Sequence, residues 1–427
     1  MNRPVIGIAG MTHLGLVTAS AIASKGFSTV CYDPDADRIS ALTRGELPVV
    51  EPDLDQLIAA NGVRQSFSGE VTSLAACDIV YIARDVPTDS AGQSDLSDMS
   101  ALIGKVVCAL DPEAILVILC QVPPGFTRDL NILPAARLYY QVETLIFGRA
   151  VAQATKPERF IVGCADPHGP LDPRFAALLE AFKCPILPMR YESAELAKIA
   201  INLFLVSSVS LSSMLAELCE KIGADWSEIA PALRLDRRIG AHAYLAPGLG
   251  IAGGNLERDL ASVERIAATH DVNVELVQSW RSINERRRDW AADIIQAALL
   301  NRKPDAILAI WGLAYKENTH SIRNSPSLAT IAQLPKARLR LHDPVVSPSV
   351  VSHAHAQGFE TPLEAARGAD ALLILTPWPH YREVAPEKIA KALAGKIVVD
   401  PYAVLNAQAV EAAGLIHYTL GRSANRH

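Results

Sequence analysis

The chain has 427 residues, 50% hydrophobic and 20% charged, enough for two or three domains at roughly 150 residues each. A net charge of −6 argues against nucleic acid or an anionic membrane as the main partner, while leaving room for a local basic pocket around a phosphate. Seven scattered cysteines with no Cys-x-x-Cys pair argue against a disulfide framework and fit the reducing cytoplasm.

From the N-terminus, VIGIAG (4–9) reads as a short strand ending in glycine, 14–25 as a helix and STVCYD (28–33) as a second strand. Glycines break the apolar run, and this βαβ opening argues against a cleaved signal peptide. Strand-like runs follow at 79–83, 115–120 and 160–164 with helical spacing between them, which implies a parallel, doubly wound sheet. From Glu192 to about Gly223 the apolar spacing predicts one long helix. Its uncharged run Ile199–Ala216 approaches membrane-span length, but its serines and close flanking charges point to burial in a protein interface. A second helical region covers about 256–300, and strands resume at 306–312, 338–343, 371–376 and 396–400. The expected class is α/β, with two Rossmann-like doubly wound sheets (1–190 and 301–427) joined by a helical region (191–300) that contains the long helix.

The first turn reads Gly10-Met11-Thr12-His13-Leu14-Gly15. In a dinucleotide-binding turn one glycine makes the bend, a second lets pyrophosphate approach the backbone, and a third lets the helix pack on the strand. Thr12 takes the middle place. The next strand ends at Asp33, where a carboxylate can accept both ribose hydroxyls and repel a 2′-phosphate, so NAD is expected rather than NADP. His342, Asp343, His353 and His355 are close in sequence, but histidines two apart in a polar loop are usually solvated, and no metal is expected.

Three further stretches are informative in combination: GELPVVEPDLDQLI (45–58), Glu192 to Asp259, and GLAYKENTHSIRNSP (312–326). With the opening turn they resemble, in order along nearly the whole chain, the UDP-glucose/GDP-mannose dehydrogenase family. That family oxidises C6 of a nucleotide sugar twice with NAD, the second time through a cysteine thioester. The resemblance implies that Lys198 and Asn202, on one helix face, lie beside the sugar, and that Arg238 reaches the sugar site of a partner subunit in a homodimer. It makes 247–259 the glycine-rich active-site loop, with Gly250 and Gly253 at the substrate and the essential aspartate kept as Asp259. It extends the cofactor site to Pro87 and Gln121, retains Glu143 as a candidate general base, and assigns Lys316 and Arg323 to the nucleotide's phosphates and their loop.

The departures fall at ligand-facing positions. The cysteine is Asn255 and the lysine before the aspartate is Arg258. A Gly-Thr-Pro motif reads Asp85-Val86-Pro87, a motif threonine is Gln121, and a late Asp-Gly-Arg reads Asp400-Pro401-Tyr402. An asparagine offers no usable nucleophile at neutral pH, so thioester formation is not expected. Two readings follow: an NAD-dependent oxidoreductase acting on a UDP-sugar with altered chemistry, or a non-catalytic paralogue that binds NAD or nucleotide sugar as a partner subunit.

Overall fold

The computed structural model describes residues 3–87, 89, 94–252 and 254–423. Two compact units emerge, one up to Ile201 and one from Asn202 onward. The division falls inside the helix Tyr191–Ile222, which runs for 32 residues.

The first unit is built on eight strands: β1 Ile6–Ala9, β2 Thr29–Tyr32, β3 Gln65–Ser68, β4 Ile79–Ile82, β5 Ile115–Ile118, β6 Leu138–Gln141, β7 Phe160–Cys164 and β8 Ile186–Arg190. They lie in the order β3-β2-β1-β4-β5-β6-β7-β8. The first six reproduce the dinucleotide-binding order, with the switch point between β1 and β4. Strands β1, β4 and β5 (IGIA, IVYI, ILVI) are apolar at every position and buried throughout, as central parallel strands covered on both faces must be. The pairing is parallel except for one antiparallel step, β6 against β7. Apolar clusters occupy both sides: Ile8, Leu16, Phe175 and Leu178 pack in one, Ile82, Leu102, Val106 and Tyr140 in the other.

The second unit carries β9 Ile307–Trp311, β10 Arg338–His342, β11 Ala356–Gly358, β12 Ala371–Ile374, β13 Ile397–Val399 and β14 Ile416–Tyr418. All pairs are parallel, and the order β11-β10-β9-β12-β13-β14 is the same winding again. Helices Asn255–Thr269 and Glu275–Ile295 belong to this unit. Arg287, 2% exposed, pairs with Glu220 at 2.8 Å, and Glu220 also accepts from Trp290 Nε1 and the Gly421 amide, which ties the long helix to both the Glu275–Ile295 helix and the C-terminal end.

The long helix is apolar enough, by length and composition, to cross a membrane, with a mean hydropathy of 1.9 over its best window. Ile199, Val206, Ala216 and Cys219 are buried, whereas Phe204, Leu211, Leu218 and Ile222 are exposed.

Candidate active site

In the first unit, the turn after β1 is shaped by two close approaches. Gly10 has φ +102°, a conformation that penalises a side chain, and a Cβ there would also meet Arg84 at 3.1 Å. A Cβ on Gly15 would come within 1.8 Å of the Gly10 carbonyl oxygen, so only glycine lets the helix His13–Ser24 close on the strand. The cradle therefore has the bend and the close helix packing that a dinucleotide requires. Thr12, the N-cap, makes no side-chain bond to its own helix, and its Oγ1 accepts from the Asp85 amide at 3.2 Å. The first-turn amides of this helix supply the partial positive charge that favours a phosphate.

Asp33 ends the strand at the same edge and is fully buried. Its carboxylate accepts from the Met11 amide at 2.7 Å, the Asp35 amide at 3.0 Å and Arg38 Nη1 at 2.9 Å. It thus braces the glycine turn, and Arg38, which sequence reading missed, is its cationic partner. Leu14 is buried, Pro87 is exposed, and Gln121 is half-buried in the loop after β5.

His13 is held in an unforeseen way. Its Nε2 meets Glu51 Oε2 at 2.9 Å, and its ring stacks on Phe147 with centroids 4.1 Å apart. Glu51, buried, also accepts from the Gly148 amide at 3.0 Å and the Ala150 amide at 2.8 Å. One carboxylate therefore joins the start of the first helix, the 45–53 loop and the 142–150 loop.

Further along that loop, Glu143 Oε1 pairs with Lys198 Nζ at 2.6 Å, and the same ammonium donates to the Glu143 carbonyl oxygen at 2.9 Å. Lys198 is 8% exposed, so its charge is held rather than solvated. One turn before it, Glu195 is fully buried and accepts from the amides of Gly125 and Thr127 (2.9 Å), pinning the loop that carries Gln121. Burial pushes the Glu195 carboxyl up, against the opposing pull of Thr127.

In the second unit, Asn202 lies one turn beyond Lys198 on the same helix, 8% exposed, and its Nδ2 donates to the fully buried carboxylate of Asp259. Arg258 Nε lies 3.5 Å from the other Asp259 oxygen. Asn255 is the exposed first residue of the helix Asn255–Thr269, one turn before this pair. Gly254, its N-cap, sits under Arg323, whose Nε would be 2.7 Å from a Cβ there, and Asn324 donates to Glu257. The glycine-rich stretch and the 312–326 stretch, 50 residues or more apart in the chain, are thus brought together. Arg288, another residue missed in the sequence, donates to Glu257 at 2.8 Å and the Ile251 carbonyl at 3.2 Å. A Cβ on Gly250 would meet the Asn284 carbonyl at 2.6 Å, and Tyr402 lies 3.9 Å from a Cβ on Gly248. Gly253 lies outside the described residues. Lys316 is half-buried and extends over the Tyr315 ring at 5.5 Å. Arg238 projects into solvent beside Asp236 at 2.6 Å. Trp378 is buried and donates to Asp343 at 3.1 Å, while His342 meets the Tyr381 hydroxyl at 3.0 Å and His353 the Leu334 carbonyl at 3.0 Å.

All seven cysteines are free, and five are buried. Burial pushes Cys31, Cys77 and Cys120 up to about 12. Cys120, two residues past β5, donates to the Ile82 carbonyl at 3.3 Å and accepts from the Arg84 amide at 3.2 Å, and its burial keeps it a thiol rather than a thiolate at neutral pH.

The sheet order, the glycine turn and the strand-end carboxylate define a dinucleotide-binding protein. Family models place it more closely: the NAD binding domain of the UDP-glucose/GDP-mannose dehydrogenase family matches residues 4–179, the central domain 192–286, and the UDP binding domain 309–407. The chain belongs to the UDP-glucose/GDP-mannose dehydrogenase family, and its cofactor is NAD. It is 29% identical to UDP-glucose 6-dehydrogenase TuaD of Bacillus subtilis (strain 168), over 99% of this chain and 94% of that protein. It is 28% identical to UDP-glucose 6-dehydrogenase of Rhizobium meliloti (strain 1021), over 98% and 99%. Among solved structures, a UDP-glucose dehydrogenase from Pyrobaculum islandicum superposes with TM-score 0.86 at 25% identity, covering 99% of this chain and 98% of that one. A UDP-D-ManNAc dehydrogenase from Pyrococcus horikoshii superposes with TM-score 0.83 at 26% identity, covering 98% and 99%.

Proposed function

We propose that the chain oxidises the C6 alcohol of a UDP-sugar to the aldehyde, in the cytoplasm, and does not pass through a thioester. The observation that carries this reading is Asn255, an amide where the family has its nucleophilic sulfur, in a chain whose Cys31, Cys77 and Cys120 thiols are held protonated by burial.

Bound NAD would supply the hydride acceptor for C6. Asp33 and Arg38 would hold the adenosine ribose, the amides of Thr12, His13 and Leu14 would receive the pyrophosphate, and Pro87 and Gln121 would border the cofactor. The Lys198 ammonium stabilises negative charge growing on the alcohol oxygen, and Glu143, which fixes that ammonium at 2.6 Å, takes the alcohol proton directly or through one water. Asn202 spends its N–H on Asp259, so its Oδ1 is left to accept from a sugar hydroxyl. Arg258 and Asp259 hold the helix start that presents Asn255. Gly250 and Gly253 allow the loop to approach the substrate, Lys316 neutralises a phosphate of UDP, and Arg323 supports the loop. The exposed Phe204, Leu211, Leu218 and Ile222 are covered by a second copy of the chain, to whose sugar site Arg238 extends.

The test is the yield of NADH per UDP-glucose or UDP-N-acetyl sugar, read at saturating NAD, with the product identified by mass spectrometry. One NADH and an aldehyde support the reading. Two NADH and an acid would overturn the termination at aldehyde, and no NADH despite cofactor and nucleotide binding would favour a non-catalytic binding subunit. For the dimer, Phe204→Asp with Leu211→Asp is expected to yield a monomer by light scattering. An unchanged mass would remove the helix as the interface.

A further inference from the structure

We infer that Asp85 is an intramolecular anion seated at the pyrophosphate-binding turn, and that it sets the affinity for NAD by competing with the cofactor's phosphates. The inference rests on the cofactor placement proposed above. The loop after β4 abuts the glycine turn closely: a Cβ on Gly10 would touch Arg84 Cβ and the Arg84 amide nitrogen, each at 3.1 Å. Asp85 follows, and its amide donates to Thr12 Oγ1 at 3.2 Å. Thr12 is the helix N-cap and makes no side-chain bond to its own helix, so its hydroxyl proton is left for an acceptor outside the helix. The Thr12 hydroxyl and the His13 amide both act on the Asp85 carboxylate in the direction that favours its charge. These are the groups a pyrophosphate would claim at the start of this helix. The residue as a whole remains exposed, although its carboxyl is partly desolvated by its neighbours.

Two anions cannot share this turn without mutual repulsion. The surrounding charges do not cancel it. The His13 ring favours the Asp85 anion, whereas Glu143 opposes it, and Glu143 is already paired with Lys198. Arg84 is engaged with Asp98 at 3.3 Å, and Glu51 with His13. Desolvation by neighbouring protein atoms pushes the Asp85 carboxyl up, and its neutral form no longer repels phosphate. The family resemblance puts a glycine at this position, where no such competitor exists.

The experiment compares wild type with Asp85→Asn, which keeps the shape and removes the charge, and Asp85→Gly, which removes the side chain. Thermal melting verifies that each variant folds. Binding of NADH by fluorescence and of ADP-ribose by calorimetry is expected to tighten by about tenfold or more in both variants, equivalent to about 1.4 kcal/mol. Adenosine, which has no phosphate, should bind all three with the same dissociation constant. As pH falls, ADP-ribose binding should tighten more in wild type than in Asp85→Asn. Every other ionisable group at the turn is common to both proteins, so the difference between the slopes reads Asp85. Equal or weaker binding by both variants, with wild type binding normally, would overturn the role of Asp85 and leave the cofactor placement standing. Failure of all three proteins to bind NADH would overturn the placement and the inference with it.

Discussion

Replacing Glu51 with alanine should destabilise the first unit and loosen its glycine turn together. The carboxylate is buried and accepts three hydrogen bonds, from His13 Nε2, the Gly148 amide and the Ala150 amide. Leaving a buried donor without a partner costs about 1–3 kcal/mol. The Ala150 amide and His13 are buried and lose most, while the Gly148 amide is partly reached by water and loses less. The expected loss for Glu51→Ala is therefore about 3–5 kcal/mol, or roughly 6–20 °C of melting temperature for a unit of this size. Glutamine should fall between. Its oxygen, placed as Oε2 is, still serves His13 and Gly148, but its NH2 then faces the Ala150 amide, donor against donor. The assay is differential scanning calorimetry of the three proteins with and without NAD. A transition in Glu51→Ala within a degree or so of wild type, with unchanged NAD affinity, would refute the bracing role.

Other substitutions test other parts of the structure. Gly15→Ala places a Cβ within 1.8 Å of the Gly10 carbonyl, so NADH binding measured by fluorescence should be lost or weakened more than about tenfold. Asn255→Cys should raise acid formation from UDP-glucose above wild type, read as the second NADH per sugar. A variant that binds both ligands and still makes no acid would mean that the rest of the pocket is reshaped as well. The Arg128 guanidinium beside Glu192 holds that carboxyl down at about 2, against an ordinary 4.5. A depressed carboxyl contributes stability above its unfolded value that disappears as pH falls from 4.5 toward 2. The pair is exposed, so the effect should be under about 1 kcal/mol. Urea titrations across that window should show it in wild type and not in Glu192→Gln.

Central elements were legible in the sequence because burial leaves a simple pattern. IGIA, IVYI, ILVI and ALLI are continuous apolar runs, and each is a strand within a buried parallel sheet. The edge strands QSFS and AQG were illegible for the converse reason. One side of each faces solvent, and their short polar sequences carry no period. Strand β6, LYYQ, is buried yet was missed, being only four residues with a polar end. The expectation of wholly parallel pairing holds apart from β6 against β7.

At the candidate site, single residues in known motifs were readable, whereas their partners were not. Asp33 announces itself at a strand end, but Arg38 is one arginine among many until the fold brings it to 2.9 Å. Glu51 lies 38 residues from His13 and about 100 from Ala150, a separation no spacing rule spans. Glu195, one turn before Lys198, reads as an ordinary helix carboxylate, and only its burial against the 125–127 amides reveals a positioning role. The departures at Asn255 and Asp85 were visible as odd residues in motifs. The contact between Asp85 and Thr12 required coordinates.

Whether sulfur ever carries the sugar in this protein can be read from the intact-protein mass during turnover with NAD and UDP-glucose, quenched in acid. The expected spectrum shows only the unmodified chain at every time point, with NADH accumulating. A species heavier by one oxidised UDP-sugar, mapped by peptide analysis to any cysteine, would contradict the non-covalent oxidation proposed for Asn255 and its neighbours.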